Sequence, residues 1–189
     1  MAELLRSLGQ NQLCKNNITM KPRIIIPLLL LTTIFGCGGT GSEIEKSKAR
    51  LTETKSCSGC DLKEADLSRA ELNNVNLSNA KLNKANLTSA KLNKANLSGA
   101  FLDSAQLNDA NLSAADLSGA GLAAANLSGA NLSGANLSSA YLRGADLSGA
   151  NLSGANLKDA DLSTAKIEGT KLDGANLSGT IMPDGTLKK

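Results

Sequence analysis

The sequence has no histidine and no tryptophan, and its only aromatic side chains are Phe35, Phe101 and Tyr141. A conventional core fills irregular space with aromatic and β-branched side chains, so this chain is not expected to build one. Without histidine, a zinc site at Cys57 and Cys60 would lack its further ligands, and no serine has a histidine base to activate it. The sequence therefore predicts no metal, no cofactor, no catalytic residue and no enzymatic activity.

A strong charge of either sign is also missing. The chain carries 20 Lys and Arg against 17 Asp and Glu. Residues 1–59 hold eight basic and four acidic side chains, whereas residues 60–189 hold twelve and thirteen. The longer segment is thus nearly neutral, and it offers neither a basic track for phosphates nor an acidic surface that imitates them. We expect no nucleic-acid partner.

A five-residue repeat dominates the chain. Every fifth residue from Leu62 to Leu177 is leucine, apart from Ile167, which makes 24 positions without an insertion. The residue two places before each of them is alanine in 21 cases, the exceptions being Cys60, Val75 and Thr170. The regular spacing argues against disorder, which is the other common meaning of such a biased composition.

This period fits neither an α-helix, whose apolar stripe recurs at 3.6 residues, nor a long strand, whose side chains alternate. Within one unit the Ala and Leu are two residues apart, so both point to the same side of a short extended segment. The Asn or Asp between them points outward, and the following pair, often Ser-Gly, favours a turn. The pattern predicts a chain coiled around an Ala/Leu interior, with successive coils hydrogen-bonded about 4.8 Å apart.

Units such as Ala-Asn-Leu-Ser-Gly and Ala-Asp-Leu-Ser-Gly, in 24 ungapped copies, closely resemble the pentapeptide repeat family. The resemblance implies an all-β fold: a right-handed quadrilateral parallel β-helix over residues 60–182, with four units per coil and about six coils. The segment 51–62 is similar to the lead-in of many cyanobacterial members, and 179–185 looks like their closing segment. Residues 183–189 are left as a C-terminal tail.

Residues 38–59 read as a linker followed by an N-terminal cap. Ser42 and Glu45 have the spacing of a helix capping box, and Ile44 and Leu51 lie seven apart on one helix face. We therefore predict a short helix over about 43–54 that covers the open end of the rod.

Residues 20–37 have the layout of a secretory signal: a positive start, a short apolar run and small residues at the end. The apolar run is too short to span a bilayer comfortably as a helix. The stretch 34–37, Ile-Phe-Gly-Cys, resembles a bacterial lipobox, which implies that Cys37 is lipidated and anchors the chain to a membrane. A simple cleaved signal and an uncleaved anchor are the alternatives.

Each of these alternatives predicts an exported protein, in the periplasm or the thylakoid lumen, and the lipobox favours a membrane-anchored lipoprotein. Residues 1–19 lie upstream of the signal and are polar in part. Our hypothesis is that Met20 is the true start, so that these residues are a non-native or disordered extension.

In an exported protein, Cys57 and Cys60 are expected to form a structural disulfide at the cap. Cys60 also falls on the inward column of the repeat, where Ala is usual. A free buried thiol is therefore the main alternative.

Stacking the sequence at a period of twenty residues places Phe101, Gly121 and Tyr141 in one outward column, with Ala123 and Ala124 beside them. These are the only rings in the repeat, and they share a face without bulky polar groups between them. We predict a protein-contact site here, the alternative being two unrelated surface rings. Another outward column predicts a ladder of stacked amides, formed by Asn76, Asn96, Asn136, Asn156 and Asn176 together with Asp116.

These observations favour a non-catalytic rod that serves as a rigid binding surface or spacer for a protein partner the sequence does not identify. Rods could also pair end to end as homodimers, although Pro183, Lys188 and Lys189 at the exit discourage open-edge pairing. The rival function is inhibition of a DNA topoisomerase by DNA mimicry, which some members of the family perform. The near-neutral charge and the export signal disfavour it.

Overall fold

The computed structural model describes residues 41–189, which form one helix followed by a continuous solenoid. Helix α1 runs over Gly41–Thr54, and no helix within 41–189 is long and apolar enough to cross a membrane. Leu51 is only 2% exposed and belongs to the same buried cluster as the solenoid core, against which Ile44 also packs. Helix α1 therefore packs against the N-terminal end of the solenoid.

The solenoid repeats at twenty residues. Its β-structure consists of isolated parallel bridges, each joining a residue to the one twenty positions later, as in Asp61 with Lys81. At each bridge the chain exchanges two backbone hydrogen bonds with the neighbouring coil: the Leu62 N–H donates to the Lys81 carbonyl at 2.8 Å, and the Lys81 N–H donates to the Cys60 carbonyl at 2.9 Å. Because each unit has five residues and the register is twenty residues, the outward residues at the bridges form four columns.

A tight turn follows every bridge. In the unit that begins at Leu62, the Ala65 N–H donates to the Leu62 carbonyl at 3.1 Å, and the same bond recurs along the solenoid. The third residue of each turn, from Gly59 to Gly179, has a positive φ between 53° and 73°. A positive φ at this place is the mark of a type II turn and favours glycine. The Ser-Gly pairs of the repeat thus supply the corners of the coil.

The interior is filled by the two repeated apolar positions. Leucines from Leu77 to Leu157 are 0% exposed, and the alanines from Ala80 to Ala160 are at most 1% exposed. Because each coil presents the same side chains to the next, the core is a stack of identical layers. This confirms the inward assignment of the Ala and Leu columns.

The C-terminal end of the solenoid is less covered than the N-terminal end. Ile167, Leu172 and Leu177 in the last coil are only partly buried. Their N–H groups have no backbone acceptor within residues 41–189. Two hydroxyls replace alanine on the inward side here, and both donate to core carbonyls: Thr170 to Leu147 and Thr180 to Leu157, each at 2.7 Å.

Residues 183–189 turn back along the last coil. Leu187 forms an antiparallel bridge with Ile181. The Gly179 N–H donates to the Lys188 carbonyl at 2.8 Å, and the Lys188 N–H donates to the Thr180 carbonyl at 2.9 Å. The segment read from sequence as a tail therefore pairs with one side of the final coil.

Candidate protein-contact site

One outward column concentrates the exposed apolar side chains of the solenoid. The bridges join its seven residues in order along the rod, and we call them the aromatic column: Asp61, Lys81, Phe101, Gly121, Tyr141, Asp161 and Ile181. Of the four exposed large hydrophobic side chains among residues 41–189, three lie in this column: Phe101 at 49%, Tyr141 at 61% and Ile181 at 37%. Large apolar side chains that share one exposed face form a candidate contact surface, whereas single exposed ones are common.

Gly121 makes a low point between the two rings. Phe101 and Tyr141 each bridge to Gly121, so they stand two coils apart, about 10 Å. Beside Gly121, Ala123 is half-buried and Ala124 forms an exposed turn corner with φ +54°. The structure therefore brings together all five residues predicted to form the contact.

Asp103 borders this low point, and the repeat pattern did not predict its role. One carboxylate oxygen accepts from the Ala123 N–H at 3.0 Å, and the other accepts from the Asn83 amide at 3.2 Å. A Cβ added to Gly121 would stand 3.3 Å from the first of these oxygens. Glycine at 121 thus leaves room for the carboxylate to lie across the coil. The bond spans the twenty-residue register, but a five-residue pattern does not reveal which turn side chain will reach across it.

The charges on this face are unpaired within the described part of the chain. Elsewhere, lysines neutralise acidic residues in the preceding coil, as in Lys91 with Glu71 at 2.7 Å and Lys166 with Asp146 at 3.4 Å. In contrast, no ion pair within residues 41–189 involves the four charged residues of this face, which are Lys81, Asp103, Arg143 and Asp161. Lys81 and Asp61 are joined by a backbone bridge, but their side chains form no ion pair.

Asp161 is held in its charged form. The hydroxyl and the backbone N–H of Ser163 both stabilise its carboxylate and lower its pKa, and Arg143 adds a smaller effect. The backbone bond is 2.8 Å long. At neutral pH the column therefore presents a negative charge at this position.

The predicted amide ladder forms along part of its column. The side-chain amides of Asn136, Asn156 and Asn176 each donate to the side chain one coil earlier, all at 3.1 Å, starting from Asp116. The side-chain oxygen of Asn96 instead accepts from the N–H and hydroxyl of Ser98 in its own turn. The ladder is thus confirmed from Asp116 to Asn176 only.

At the N-terminal end, the structure joins Cys57 and Cys60 in a disulfide, with their Cα atoms 5.2 Å apart. Cys57 is fully buried, and its Sγ lies 3.3 Å from the Ser47 carbonyl oxygen of α1. The disulfide therefore lies where the helix meets the first coil. Cys37, the predicted lipidation site, is outside the described residues.

Recesses on the described surface lie outside the core. One, of about 420 Å³, is lined by Glu43 and Ile44 of α1 and by Asp61, Lys63 and Glu64. A smaller one of about 190 Å³ lies beside Phe101, against Lys63, Lys81 and Asn83. Within residues 41–189 no group of three or more acidic residues, cysteines or histidines could hold a metal ion.

The family profile described as Pentapeptide repeats (8 copies) matches residues 47–83, 70–109, 85–122, 105–144 and 140–179. No curated protein matches the chain. Among solved structures, HetL, a pentapeptide repeat protein involved in heterocyst differentiation regulation from the cyanobacterium Nostoc sp. strain PCC 7120, is 30% identical. That match covers 70% of this chain and 87% of HetL, with a TM-score of 0.35.

A pentapeptide repeat protein from the Arabidopsis thaliana thylakoid lumen is 37% identical, over 50% of this chain and 66% of that one, with a TM-score of 0.46. QnrB1, a plasmid-mediated fluoroquinolone resistance protein, is 24% identical over 67% of this chain and 70% of its own, with a TM-score of 0.34. Pentapeptide repeat proteins are structural repeat proteins that fold as right-handed quadrilateral β-helices. The sequence profile covers most of the repeat, and the chain belongs to the pentapeptide repeat family.

Proposed function

We propose that this chain is a non-catalytic interaction rod, exported and lipid-anchored through Cys37, and that it binds a protein partner through the aromatic column. About six coils of the family's β-helix, capped by α1, form the rod. The observation that carries the proposal is the contrast between the interior and this face. The core is filled by Leu and Ala, so binding falls to the outer shell, and there Phe101 and Tyr141 stand exposed around Gly121.

A large apolar ring that is exposed in the free protein becomes an anchor when a partner buries it. Arg143, which is exposed beside Tyr141, adds a second residue type that is common at the centre of protein interfaces. The near-neutral balance of residues 60–189 gives no support to DNA mimicry.

We expect the double variant Phe101→Ser/Tyr141→Ser to lose partner binding because both ring anchors are removed. The measurement is a pull-down from membranes of the native organism with the tagged full chain, comparing partner recovery with that of the parent. We expect recovery to fall at least tenfold, since two ring anchors each contribute about 1 kcal/mol or more.

The matched control is Asn131→Ser/Asn151→Ser, which changes two outward residues in a different column and leaves the rings intact. Both double variants should melt at the parent temperature, because all four side chains lie outside the core. Retention of every parent partner by the ring variant would reject the proposed contact face.

The anchor is tested at Cys37. A thiol is required for lipid attachment, so we expect Cys37→Ser to lose incorporation of labelled fatty acid and to shift from the membrane fraction to the soluble fraction. Thr40→Ser, three residues after Cys37, is the control and should leave both unchanged. An unlabelled parent chain would exclude the lipoprotein and leave a cleaved signal or an uncleaved anchor.

A further inference from the structure

The aromatic column is symmetric about Gly121. Three residues stand on either side of the glycine. The two inner pairs at equal distances are complementary, whereas the outermost pair is not. Phe101 and Tyr141 lie one coil away on opposite sides, and Lys81 and Asp161 lie two coils away. The outermost pair is Asp61 and Ile181. A second column on the same face repeats the relation, since Asp103 and Arg143 flank Ala123 at equal distances.

Such symmetry has a consequence for two copies of the chain that lie face to face and antiparallel. A twofold axis that runs across the rods, along the direction of the extended segments, keeps each column opposite itself and reverses the order of the coils. If the axis passes through Gly121, Phe101 of one copy meets Tyr141 of the second copy. Lys81 then meets Asp161 of the second copy. Every such contact occurs twice, as in any isologous interface.

The charges on this face have only weak electrostatic neighbours within the rod, since Arg143 adds a small stabilisation to the Asp161 carboxylate. Lys81, Asp161, Asp103 and Arg143 form no ion pair with residues 41–189, although lysines in two other columns do pair with the preceding coil. The antiparallel arrangement would satisfy all four, because Asp103 comes opposite Arg143 of the second copy. Charge complementarity of this kind favours one register over others.

We propose that the partner of the aromatic column is a second copy of this chain, and that two rods form an antiparallel, side-by-side homodimer with its twofold axis at Gly121. This inference rests on the proposed function in that it uses the same contact face. Glycine on the axis lets the two backbones approach closely, and the two Phe–Tyr pairs enclose it. Aromatic pairs are favourable at centroid separations of about 4.5–7 Å.

The column spans six coil steps, about 29 Å from Asp61 to Ile181. One side of a solenoid of this length is a small contact, at the lower end of specific interfaces. The homodimer is therefore weak and concentration-dependent in solution. A lipid anchor would hold the rods at a high local concentration on one membrane and favour the dimer there.

The test is a charge-swap cycle on the purified full-length chain in detergent, followed by sedimentation equilibrium over a range of concentrations. The variants are Lys81→Asp, Asp161→Lys and the double swap Lys81→Asp/Asp161→Lys. Lysine and aspartate both occupy equivalent outward positions in this chain, as at Lys91 and Asp116, so the coil accepts each. Each single variant turns two attractions into repulsions and should weaken the dimer about tenfold.

The double swap restores opposite charges across the axis and should recover the parent dimerisation constant to within about threefold. Recovery therefore requires Lys81 and Asp161 of two copies to lie opposite each other, as the axis at Gly121 places them. Lys81→Asp also places a second carboxylate beside Asp61. The melting temperature of each variant is therefore compared with that of the parent. Asp161→Lys tests the proposal without placing a second carboxylate beside Asp61.

A double swap as weak as the single variants overturns the proposal. A dimer that none of the variants weakens also overturns the proposal, because rods paired through their C-terminal ends would behave in that way. A monomeric parent also overturns it, and then the pull-down with Phe101→Ser/Tyr141→Ser decides about the proposed function. If the ring variant loses a partner other than this chain in the pull-down, the contact face stands and only the homodimer is rejected. If it retains every partner, the contact face is rejected as well.

Discussion

Leu132→Asp is expected to unfold the solenoid or divide it into two separately melting halves. Leu132 is 0% exposed and lies in the middle of the core stack. Truncating a buried leucine costs about 2–5 kcal/mol, and placing a carboxylate without a partner in the same space adds several more. The sum approaches the whole stability of a typical domain, about 5–15 kcal/mol.

The matched control is Ser133→Asp, one residue later. Ser133 points outward, and its N–H is already bound by the Asn131 side chain at 3.1 Å. Aspartate occupies the equivalent position at Asp103 and Asp173, so the coil tolerates it there. Circular dichroism melts should show a large loss for Leu132→Asp and a change of less than about 0.5 kcal/mol for Ser133→Asp. Equal melting temperatures would contradict the inward assignment of Leu132.

The core could be predicted from sequence because one geometric rule is applied in every unit. Leu and Ala two residues apart must share a side, and a turn after each extended step closes the coil. An insertion in any unit would shift every leucine after it, but the five-residue spacing continues without a break to Leu177. The register of twenty, which places Phe101, Gly121 and Tyr141 in one column, came from the resemblance to the pentapeptide repeat family and its four units per coil.

The rule has no information about contacts that depend on individual side chains. Asp103 reaches the Ala123 N–H in the next coil because Gly121 leaves space for it, which requires the coordinates of both coils. The amide ladder begins only at Asp116, because a carboxylate accepts hydrogen bonds but cannot donate one back to Asn96. The bond from the backbone N–H two residues later does not decide this, since Asn136 and Asn156 accept it and also belong to the ladder.

The ends of the solenoid escape the rule for a different reason. A repeat pattern predicts further units of the same kind, so it carries no information about the segments that terminate the solenoid. Residues 183–189 pair antiparallel with the last coil through Leu187 and Lys188. Pro183-Asp184-Gly185 is a turn signal, but the Thr-Leu-Lys-Lys sequence after it has a single apolar residue, which is too few for strand alternation to show. At the other end, the spacing of Ile44 and Leu51 was informative because helices have a periodicity of their own.

Leu51→Asp is expected to detach α1 from the solenoid and to unfold the first coil without melting the rest. Leu51 is 2% exposed and packs against the first layers of the core. The substitution replaces this contact with a buried charge, which should cost about 3 kcal/mol or more at this end. In a solenoid each coil contacts only its neighbours, so the loss stays local.

Hydrogen exchange distinguishes this outcome from global unfolding. Amides of α1 and of residues 55–80 should lose protection in Leu51→Asp, while those of residues 120–160 keep the parent rates. Thr52→Asp is the control, because Thr52 is exposed and a carboxylate near the helix C-terminus costs less than about 1 kcal/mol. The two variants differ by one position along the same helix, so only the burial of Leu51 separates them. Uniform loss of protection from residue 41 to 189 would mean that the coils unfold together and that stability is shared along the whole rod. Unchanged protection in the first coil would mean that the disulfide between Cys57 and Cys60, and not the helix, holds this end closed.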